Sequence, residues 1–306
     1  MQQADAAHNY PVKPVRFIVP FTPGAINDFL GRLLAQKMSE VWGQQVVVDN
    51  RAGGGTLIGT EMAAKSPPDG YTLLLYSMAH ALNPSLYAKL PFDSRKDFAY
   101  VSLIASAPFL LVVNPALPAK SMTEFIALAK AKPGRLTYGS PGNGTQGHLV
   151  AELFKRATGI DIRHVPYKGA SVAVIDVVAG YVDSLSTTLT TAGSQIRSGR
   201  LRALALSSSE RLSEYAHVPT YRELGFPQLV ATVWFSISGP AGMPTDIVNR
   251  LNGEIRRVLQ LPDVRERLRS DGIESGNLDP QAFSAFVAEE IKRWSPVIRA
   301  SGARPD

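Results

Sequence analysis

Short apolar runs of strand length alternate along almost the whole chain with stretches in which apolar residues recur at helical spacing. The first run, 15–21, precedes a predicted helix over 27–42, whose apolar residues fall three or four positions apart. Strands at 45–48 and 71–76 follow, with a predicted helix near 57–65 between them. This alternation predicts an α/β fold in which each sheet is mostly parallel and flanked by helices.

The same rhythm continues after a predicted change of lobe. Two apolar runs within 101–114 flank Ser106-Ala107-Pro108, where the chain is expected to cross into a second lobe. A strand over 230–238 is expected to bring it back. We therefore expect one lobe from 1–107 plus 230–306 and a second from 108–229, joined by a hinge, with a ligand cleft between them. The remaining predicted helices are 121–131, 145–157, 170–179, 191–198, 244–259, 263–270 and 280–300, and the remaining strands are 136–140, 161–167, 182–187 and 201–207.

Two strands run directly into a Gly/Pro loop that opens onto a helix. The loop of the first corner is Thr22-Pro23-Gly24-Ala25, after Phe21, and that of the second corner is Pro141-Gly142-Asn143-Gly144, after Ser140. The first N–H groups of a helix have no partner within the helix, and its N-terminus carries partial positive charge. Each corner is therefore expected to leave bare N–H groups and to bind a small anion.

Several residues near the corners have two possible roles. Asp28, in the first turn of the first helix, either supports the loop or contacts a ligand. His148 either donates to a bound anion or packs locally as a neutral imidazole, since positive charge is disfavoured at a helix N-terminus. Asp183, at a strand start, either meets a ligand ammonium or stabilises a turn. Further backbone donors are expected at 77–79 and 169–170. The candidate ligand-binding residues are Phe21, Thr22, Pro23, Gly24, Ala25, Asn27, Asp28, Ser77, Ala79, Ser140, Asn143, Gly144, Thr145, His148, Gly169, Ala170 and Asp183.

Composition narrows the function classes. A chain of 306 residues with 45% apolar residues suits two lobes, and the absence of cysteine removes disulfides and thiolate chemistry. The net charge of +6 favours anionic partners. The basic residues are scattered, and the run Arg265…Arg267…Arg269 resembles a solvated helix face, so no nucleic acid partner is expected. No apolar run reaches the length of a membrane span.

The sequence offers little catalytic chemistry. Gly142–Gly147 matches G-x-G-x-x-G between a strand and a helix, but the next strand is followed by Lys168-Gly169 rather than by a ribose-binding acid. This loop is thus an anion site or a structural turn more readily than a dinucleotide site. There is no G-x-S-x-G elbow, and the histidines lack metal-ligand spacing. We expect no cofactor or metal, and keep as the alternative an enzyme that binds a phosphorylated or nucleotide ligand at Gly142–Gly147.

The chain resembles the solute receptors of tripartite tricarboxylate transporters, the Bug receptor family. The segments that carry this resemblance span nearly the whole chain in the order typical of the family. They are Tyr10-Pro11-Val12-Lys13-Pro14, Pro20-Phe21-Thr22-Pro23-Gly24…Asp28, Val48-Asp49-Asn50-Arg51, Pro68-Asp69-Gly70-Tyr71-Thr72-Leu73, Leu90-Pro91-Phe92-Asp93, Tyr138-Gly139-Ser140…Gly144…His148-Leu149, Val165-Pro166-Tyr167-Lys168-Gly169, Val218-Pro219-Thr220, Trp234-Phe235 and Pro240-Ala241-Gly242. One departure is Ala25, where the family usually has a second glycine.

The resemblance implies a periplasmic-binding-protein fold of the two-lobed Venus-flytrap kind (type II). It also implies a non-enzymatic periplasmic receptor that captures a small carboxylate for uptake by a membrane permease or for a sensor protein. By position, 21–25 would hold a carboxylate, with 140–145 facing it and Gly169-Ala170 adding donors. We expect a monomer. The start of the chain shows no signal peptide, which the resemblance places in the precursor.

Overall fold

In the computed structural model, which describes residues 9–24, 26–167 and 169–304, strands and helices alternate along most of the chain, as the hydrophobic pattern predicts. The strands are β1 (Val15–Val19), β2 (Val46–Asn50), β3 (Thr72–Ser77), β4 (Phe98–Val113), β5 (Thr137–Ser140), β6 (Arg163–Pro166), β7 (Ser184–Thr188), β8 (Arg202–Leu206), β9 (Thr232–Pro240) and β10 (Glu274–Ser275). The α-helices are α1 (Ile26–Trp42), α2 (Leu57–Ala64), α3 (Ala79–Leu86), α4 (Met122–Ala131), α5 (Gln146–Thr158), α6 (Ala170–Ala179), α7 (Leu189–Arg197), α8 (Thr245–Leu259), α9 (Pro262–Ser270) and α10 (Pro280–Ser301).

The chain divides into two compact units. The first contains the described residues as far as Ser106, together with Trp234–Ser270 and Glu274–Ser295. The second contains Ala107–Val233, Asp271–Ile273 and the described residues from Pro296 onwards. The expected lobes place the changes near 107/108 and 229/230, and they assign the whole C-terminal segment to the first lobe. In the structure the last turns of α10 belong to the second unit instead.

The sheet of the first unit is built around three parallel strands. Its order is β2-β1-β3-β9-β4, with β10 also paired to β4. β1 pairs in parallel with β2 on one side and with β3 on the other, whereas β9 runs antiparallel to β3. Because β1 is covered on both faces, Phe17, Ile18 and Val19 are completely buried. The sheet is therefore mixed, with its three parallel strands at one end.

The sheet of the second unit also has its parallel strands at one end. β5 pairs in parallel with β6 and with β7, and β4 runs antiparallel to β7 and β8. Apolar clusters cover both faces: one includes Phe125, Tyr138 and Phe154, and the other includes Val174, Leu185 and Leu189. Helices on both faces therefore bury this sheet.

Parallel strands end at a common edge of their sheet. The carboxyl ends of β1, β2 and β3 share one edge in the first unit, and those of β5, β6 and β7 share one edge in the second. In α/β proteins ligands bind outside the carboxyl ends of the strands. The fold therefore gathers the strand-to-helix corners of each unit at the edge where a ligand is expected.

β4 and α3 differ from the sequence-based expectation. The apolar runs around Ser106 form one long strand, β4, rather than two. This strand tolerates Pro108, which has no N–H to donate, because Ser106 pairs with β10 and the pairing with β7 begins at Phe109. The pattern also missed α3, which contains Pro84 and has no capping side chain at its start.

A buried carboxylate joins two tryptophans in the first unit. Glu290 of α10 is 7% exposed, and its Oε2 atom accepts hydrogen bonds from Trp234 Nε1 at 2.9 Å and from Trp294 Nε1 at 3.2 Å. Both indoles are essentially inaccessible to solvent. Without this carboxylate, two buried donors would lose their partner.

His80 lies in the first turn of α3 among aromatic rings. Its Nε2 atom lies 3.0 Å from the Ser94 carbonyl oxygen, and its ring centroid is 4.5 Å from that of Tyr76 and 4.8 Å from that of Phe98. Burial lowers the pKa of His80 to about 4, although the hydrogen bond to Ser94 acts in the opposite direction. The folded protein therefore holds this imidazole neutral.

Replacing Glu290 with leucine is expected to lower the free energy of unfolding by about 2–5 kcal/mol, because two buried indole N–H groups then lack an acceptor. Glu290→Gln keeps one acceptor oxygen and should lose less than half of that. Urea denaturation followed by tryptophan fluorescence measures the difference. The matched control is Glu289→Gln, since Glu289 has a side chain 75% exposed. Equal effects of Glu290→Leu and Glu289→Gln would contradict this role.

The His80 environment also predicts a pH dependence. Because the pKa of His80 is about 4 when folded and about 6.5 when unfolded, its contribution to stability is complete above pH 6.5 and is lost as the pH falls towards 4. The wild type should lose about 3 kcal/mol through this group, a loss that His80→Phe should not show. Urea midpoints at pH 7, 5.5 and 4 measure it, with exposed His217→Phe as the control. Parallel pH profiles for wild type and His80→Phe would refute the assignment.

Candidate functional site

The first corner lies between β1 and α1 and holds its own loop in shape. Gly24 has φ +82°, a left-handed conformation that favours glycine, and the space beside its Cα is open. Its N–H donates to Asp28 Oδ2 at 2.9 Å. Thr22 and Pro23 are exposed and Phe21 is half-buried, while Ala25 lies outside the described residues. The expectation of a bare N–H group is thus wrong at Gly24.

Asp28 is the acceptor that organises this corner. It is 4% exposed, accepts from Arg32 Nε at 3.0 Å and forms an ion pair with the same guanidinium. Arg32 also donates to Asn50 Oδ1 at 3.3 Å, and Asn50 Nδ2 donates to the Phe21 carbonyl at 3.1 Å. Burial alone raises the pKa of Asp28, but the hydrogen bonds from Arg32 and Gly24 outweigh it and the pKa lies below its usual value. Asp28 therefore supports the loop as an anion.

Asn27 has an unused donor at the same corner. It lies in the first turn of α1 and is 3% exposed, and its Nδ2 atom has no hydrogen-bond partner among the described residues. A buried amide without a partner is costly, and a ligand oxygen is the kind of acceptor that would relieve it. Among the described residues, the Asn27 Nδ2 atom is therefore a buried donor that the fold itself leaves available.

A second strand-to-helix corner of the first unit follows β3. Ser77 is buried, and Ala79 begins α3 two residues later, at the edge that β3 shares with β1. The Ala79 N–H lies 3.4 Å from Ser77 Oγ, and the Met78 N–H donates to the Trp234 carbonyl at 3.0 Å. The structure therefore brings 77–79 to the same sheet edge as 21–24.

The second corner, between β5 and α5, is closed by hydroxyl groups. Ser140 Oγ donates to the Gly142 carbonyl at 3.1 Å and accepts from the Gly142 N–H at 3.2 Å. Thr145 Oγ1 donates to the same carbonyl at 2.7 Å. Asn143 completes the loop between Gly142 and Gly144, both of which have positive φ angles, +137° and +70°. Ser140 and Thr145 thus act first on the loop itself.

The second corner also has an internal acceptor for its backbone. The Gly144 N–H donates to Nδ1 of His148 at 3.0 Å, and His148 is 5% exposed. The spacing of four residues is the same as that between Gly24 and Asp28. The N–H groups of Gly142 and Gly144 are therefore not bare, contrary to the expectation. Nearly all buried backbone N–H groups in proteins have a hydrogen-bond partner. Here the partners are Ser140 at the end of β5 and His148 in the first turn of α5.

His164 is a site residue that the sequence did not indicate. It lies on β6 directly opposite Tyr138 of β5, and its Nε2 atom is 2.6 Å from Ser140 Oγ. Its ring stacks on that of His148 with a centroid distance of 4.1 Å and an interplanar angle of 4°. Tyr138 stacks on His164 at 4.8 Å. The pairing of β5 with β6, which sequence spacing does not show, brings these rings together.

Two further corners share the carboxyl edge of the second unit. Gly169 has φ +130° with open space beside its Cα, and Ala170 begins α6. Lys168 lies outside the described residues. The other corner, after β7, was missed because the predicted helix began at 191, whereas α7 begins at Leu189. Thr188 precedes α7, with its Oγ1 atom 3.2 Å from Thr191 Oγ1.

Asp183 does not join the other candidates. It immediately precedes β7, at the amino end of the parallel strands and hence at the opposite edge of the sheet. Its Oδ2 atom accepts from Thr137 N at 2.7 Å and from Thr137 Oγ1 at 2.8 Å. Asp183 therefore ties the start of β7 to the start of β5, which is the turn-stabilising alternative.

Within the described residues, no three or more His, Cys, Asp or Glu side chains group in a way that could hold a metal ion. Across the same part of the chain, no helix combines the length and the apolar character needed to cross a membrane.

Known proteins resemble this chain over nearly its full length. The family model described as "Tripartite tricarboxylate transporter family receptor" matches residues 30–303. Protein BugT of Bordetella pertussis (strain Tohama I) is 40% identical over 301 residues, which cover 98% of this chain and 92% of BugT.

Solved structures agree over the whole chain. The R. palustris protein Rpa4515, solved with adipate, has a TM-score of 0.89 at 36% identity, covering 97% of this chain and 100% of that one. MatC from Rhodopseudomonas palustris, with bound malate, has a TM-score of 0.84 at 31% identity, covering 94% and 100%. The periplasmic binding protein BugD has a TM-score of 0.85 at 28% identity, covering 97% and 100%.

These similarities confirm the expected fold class and the resemblance to Bug receptors. They also decide against the enzymatic alternative at Gly142–Gly147, because the family and the structural neighbours are solute-binding proteins rather than enzymes. The chain belongs to the receptor family of the tripartite tricarboxylate transporters.

Proposed function

We propose that this protein captures a small carboxylate in the periplasm and delivers it to the membrane permease of a tripartite tricarboxylate-type transporter, or presents it to a sensor protein. The family description supports the transporter partner. The relatives solved with adipate and with malate support a carboxylate ligand, and BugD supports a periplasmic location.

The observation that carries the proposal is the position of the corners at the carboxyl ends of the parallel strands in both sheets. Each edge gathers helix N-termini, whose partial positive charge favours an anion, and the described residues there include no buried carboxylate without a cationic partner. Asp28, the acid of the first corner, is neutralised by Arg32. A ligand carboxylate at these edges would thus meet donors and dipoles rather than an uncompensated negative charge.

Asn27 adds a specific donor to this proposal. Its buried amide nitrogen lacks a partner within the described residues, so a carboxylate oxygen can accept from it without displacing an internal hydrogen bond. The ligand-binding residues that we propose are Phe21, Thr22, Pro23, Gly24, Asn27, Ser77, Ala79, Ser140, Asn143, Gly144, Thr145, Gly169 and Ala170, with Asp28 and His148 as supports. Ala25, the cleft, the hinge and the monomeric state stay predictions.

Isothermal titration calorimetry with a panel of mono- and dicarboxylates, including adipate and malate, tests this function. We expect at least one dicarboxylate to bind and to raise the melting temperature, since a ligand that binds only the folded protein stabilises it by mass action. Nucleotides, run in parallel, should do neither. A protein that responds to nucleotides but to no carboxylate would contradict the proposal.

An Asn27→Leu variant shows whether binding occurs at the first corner. Removing one hydrogen bond to a ligand oxygen should weaken the affinity about tenfold. Asn277→Leu is the matched control, because Asn277 is exposed in the same unit. Unchanged affinity in Asn27→Leu would remove Asn27 from the site.

A further inference from the structure

We propose that His148 and His164 form a stacked pair of positioning residues that fixes the loop of the second corner for ligand binding. The inference rests on the proposed function, and it extends that function to two side chains that act through the loop rather than on the ligand. The observations that carry it are two hydrogen bonds to the loop and one ring stack, all within the second unit.

His148 fixes the end of the loop that enters α5. Since its Nδ1 atom accepts from the Gly144 N–H at 3.0 Å, Nδ1 carries no proton, and the neutral ring has its hydrogen on Nε2. Gly144 has φ +70°, a conformation that other residues rarely adopt. The imidazole acceptor therefore stabilises a backbone turn whose conformation would otherwise depend on the glycine alone.

His164 fixes the end of the loop that leaves β5. Its Nε2 atom is 2.6 Å from Ser140 Oγ, and the same hydroxyl contacts both the N–H and the carbonyl of Gly142. A hydroxyl has one hydrogen to donate and can accept others. Because the Ser140 hydroxyl gives its hydrogen to the Gly142 carbonyl, His164 Nε2 is the donor to Ser140 Oγ, and this contact fixes the hydroxyl that holds the backbone of Gly142.

The stack makes the two histidines act together. The two ring planes are nearly parallel, with an angle of 4° between them, and their centroids are 4.1 Å apart. One ring belongs to α5 and the other to β6. This approach depends on Gly147, where a Cβ atom would lie 2.8 Å from Pro141 Cδ and 3.1 Å from the Ser186 carbonyl. The first turn of α5 can therefore lie close to the sheet and place His148 over His164.

Tyr138 also contacts the histidine pair. Its ring stacks on His164 at 4.8 Å, and its hydroxyl donates to Glu152 Oε1 at 2.5 Å. Lys155 in turn lies 2.7 Å from the same Glu152 oxygen. The chain of contacts runs from α5 through β5 to the histidines, so the position of the rings is determined on several sides.

The first corner provides an internal comparison. There Asp28 accepts from Gly24 across the same four-residue spacing, but it is an anion paired with Arg32. His148 performs this role as a neutral acceptor. The second corner therefore holds its loop without placing a negative charge beside the position proposed for a ligand carboxylate.

Conservative and non-conservative variants separate positioning from packing. Asn places its amide oxygen where Nδ1 of His148 lies, and Gln places a polar atom where Nε2 of His164 lies, whereas Phe keeps a stacking ring without either atom. His148→Phe and His164→Phe should weaken binding of adipate or malate about tenfold, and His148→Asn and His164→Gln should stay within about threefold of wild type. His217→Phe, at an exposed histidine of the same unit, is the control.

Two measurements on the ligand-free full chain keep the test independent of the ligand. Nitrogen-15 NMR of the histidine rings should show His148 with its hydrogen on Nε2. Amide exchange at Gly144 should accelerate about tenfold in His148→Phe and little in His148→Asn. If the wild type binds no member of the carboxylate panel, the proposed function fails, while these two readouts still judge the positioning role.

The inference is overturned if His148 carries its hydrogen on Nδ1. It is equally overturned if the Asn and Phe variants of His148 exchange Gly144 at the same rate, or if all four variants bind a ligand of the wild type with unchanged affinity. A variant that does not fold is replaced by its partner at the other histidine, and the wild-type ring spectrum requires no variant.

Discussion

The pairing of backbone N–H groups where strands pass into helices is the constraint on which the rest of this structure depends. A helix that begins at the buried edge of a sheet presents donors that cannot remain without acceptors. In both units a side chain of the protein accepts one of these hydrogen bonds: Asp28 accepts from the Gly24 N–H, and His148 accepts from the Gly144 N–H. The remaining donors, and the buried amide of Asn27, are what the fold leaves for a ligand.

Because protein side chains already accept these hydrogen bonds, the loops of the corners hold their shape without a ligand. An anion site made only of bare N–H groups would have to be organised by the anion itself, at a cost in ordering the loop. Here Asn50 donates to the Phe21 carbonyl, and Ser140 makes hydrogen bonds to both the N–H and the carbonyl of Gly142. Protein contacts thus shape the loops, so the hydrogen bonds of a ligand add to its affinity and are not spent on ordering the loops.

Much of the fold could be predicted from the sequence because it is local. The 3.6-residue and two-residue periods identified most helices and strands, and the Gly/Pro loops marked both main corners. What the sequence could not show is the pairing of strands. His164 joins the second corner only because β6 lies beside β5, and Asp183 leaves the site only because it lies at the amino end of β7. The helix α3 was missed because Pro84 interrupts the helical pattern.

The most direct test of the account is a crystal structure of the protein with a bound dicarboxylate such as adipate. We expect a carboxylate oxygen within about 2.7–3.2 Å of a donor at the first or the second corner, with the Gly24–Asp28 and Gly144–His148 hydrogen bonds intact. A carboxylate bound away from these corners, or one that displaces Asp28 and His148 from the two glycine N–H groups, would contradict it.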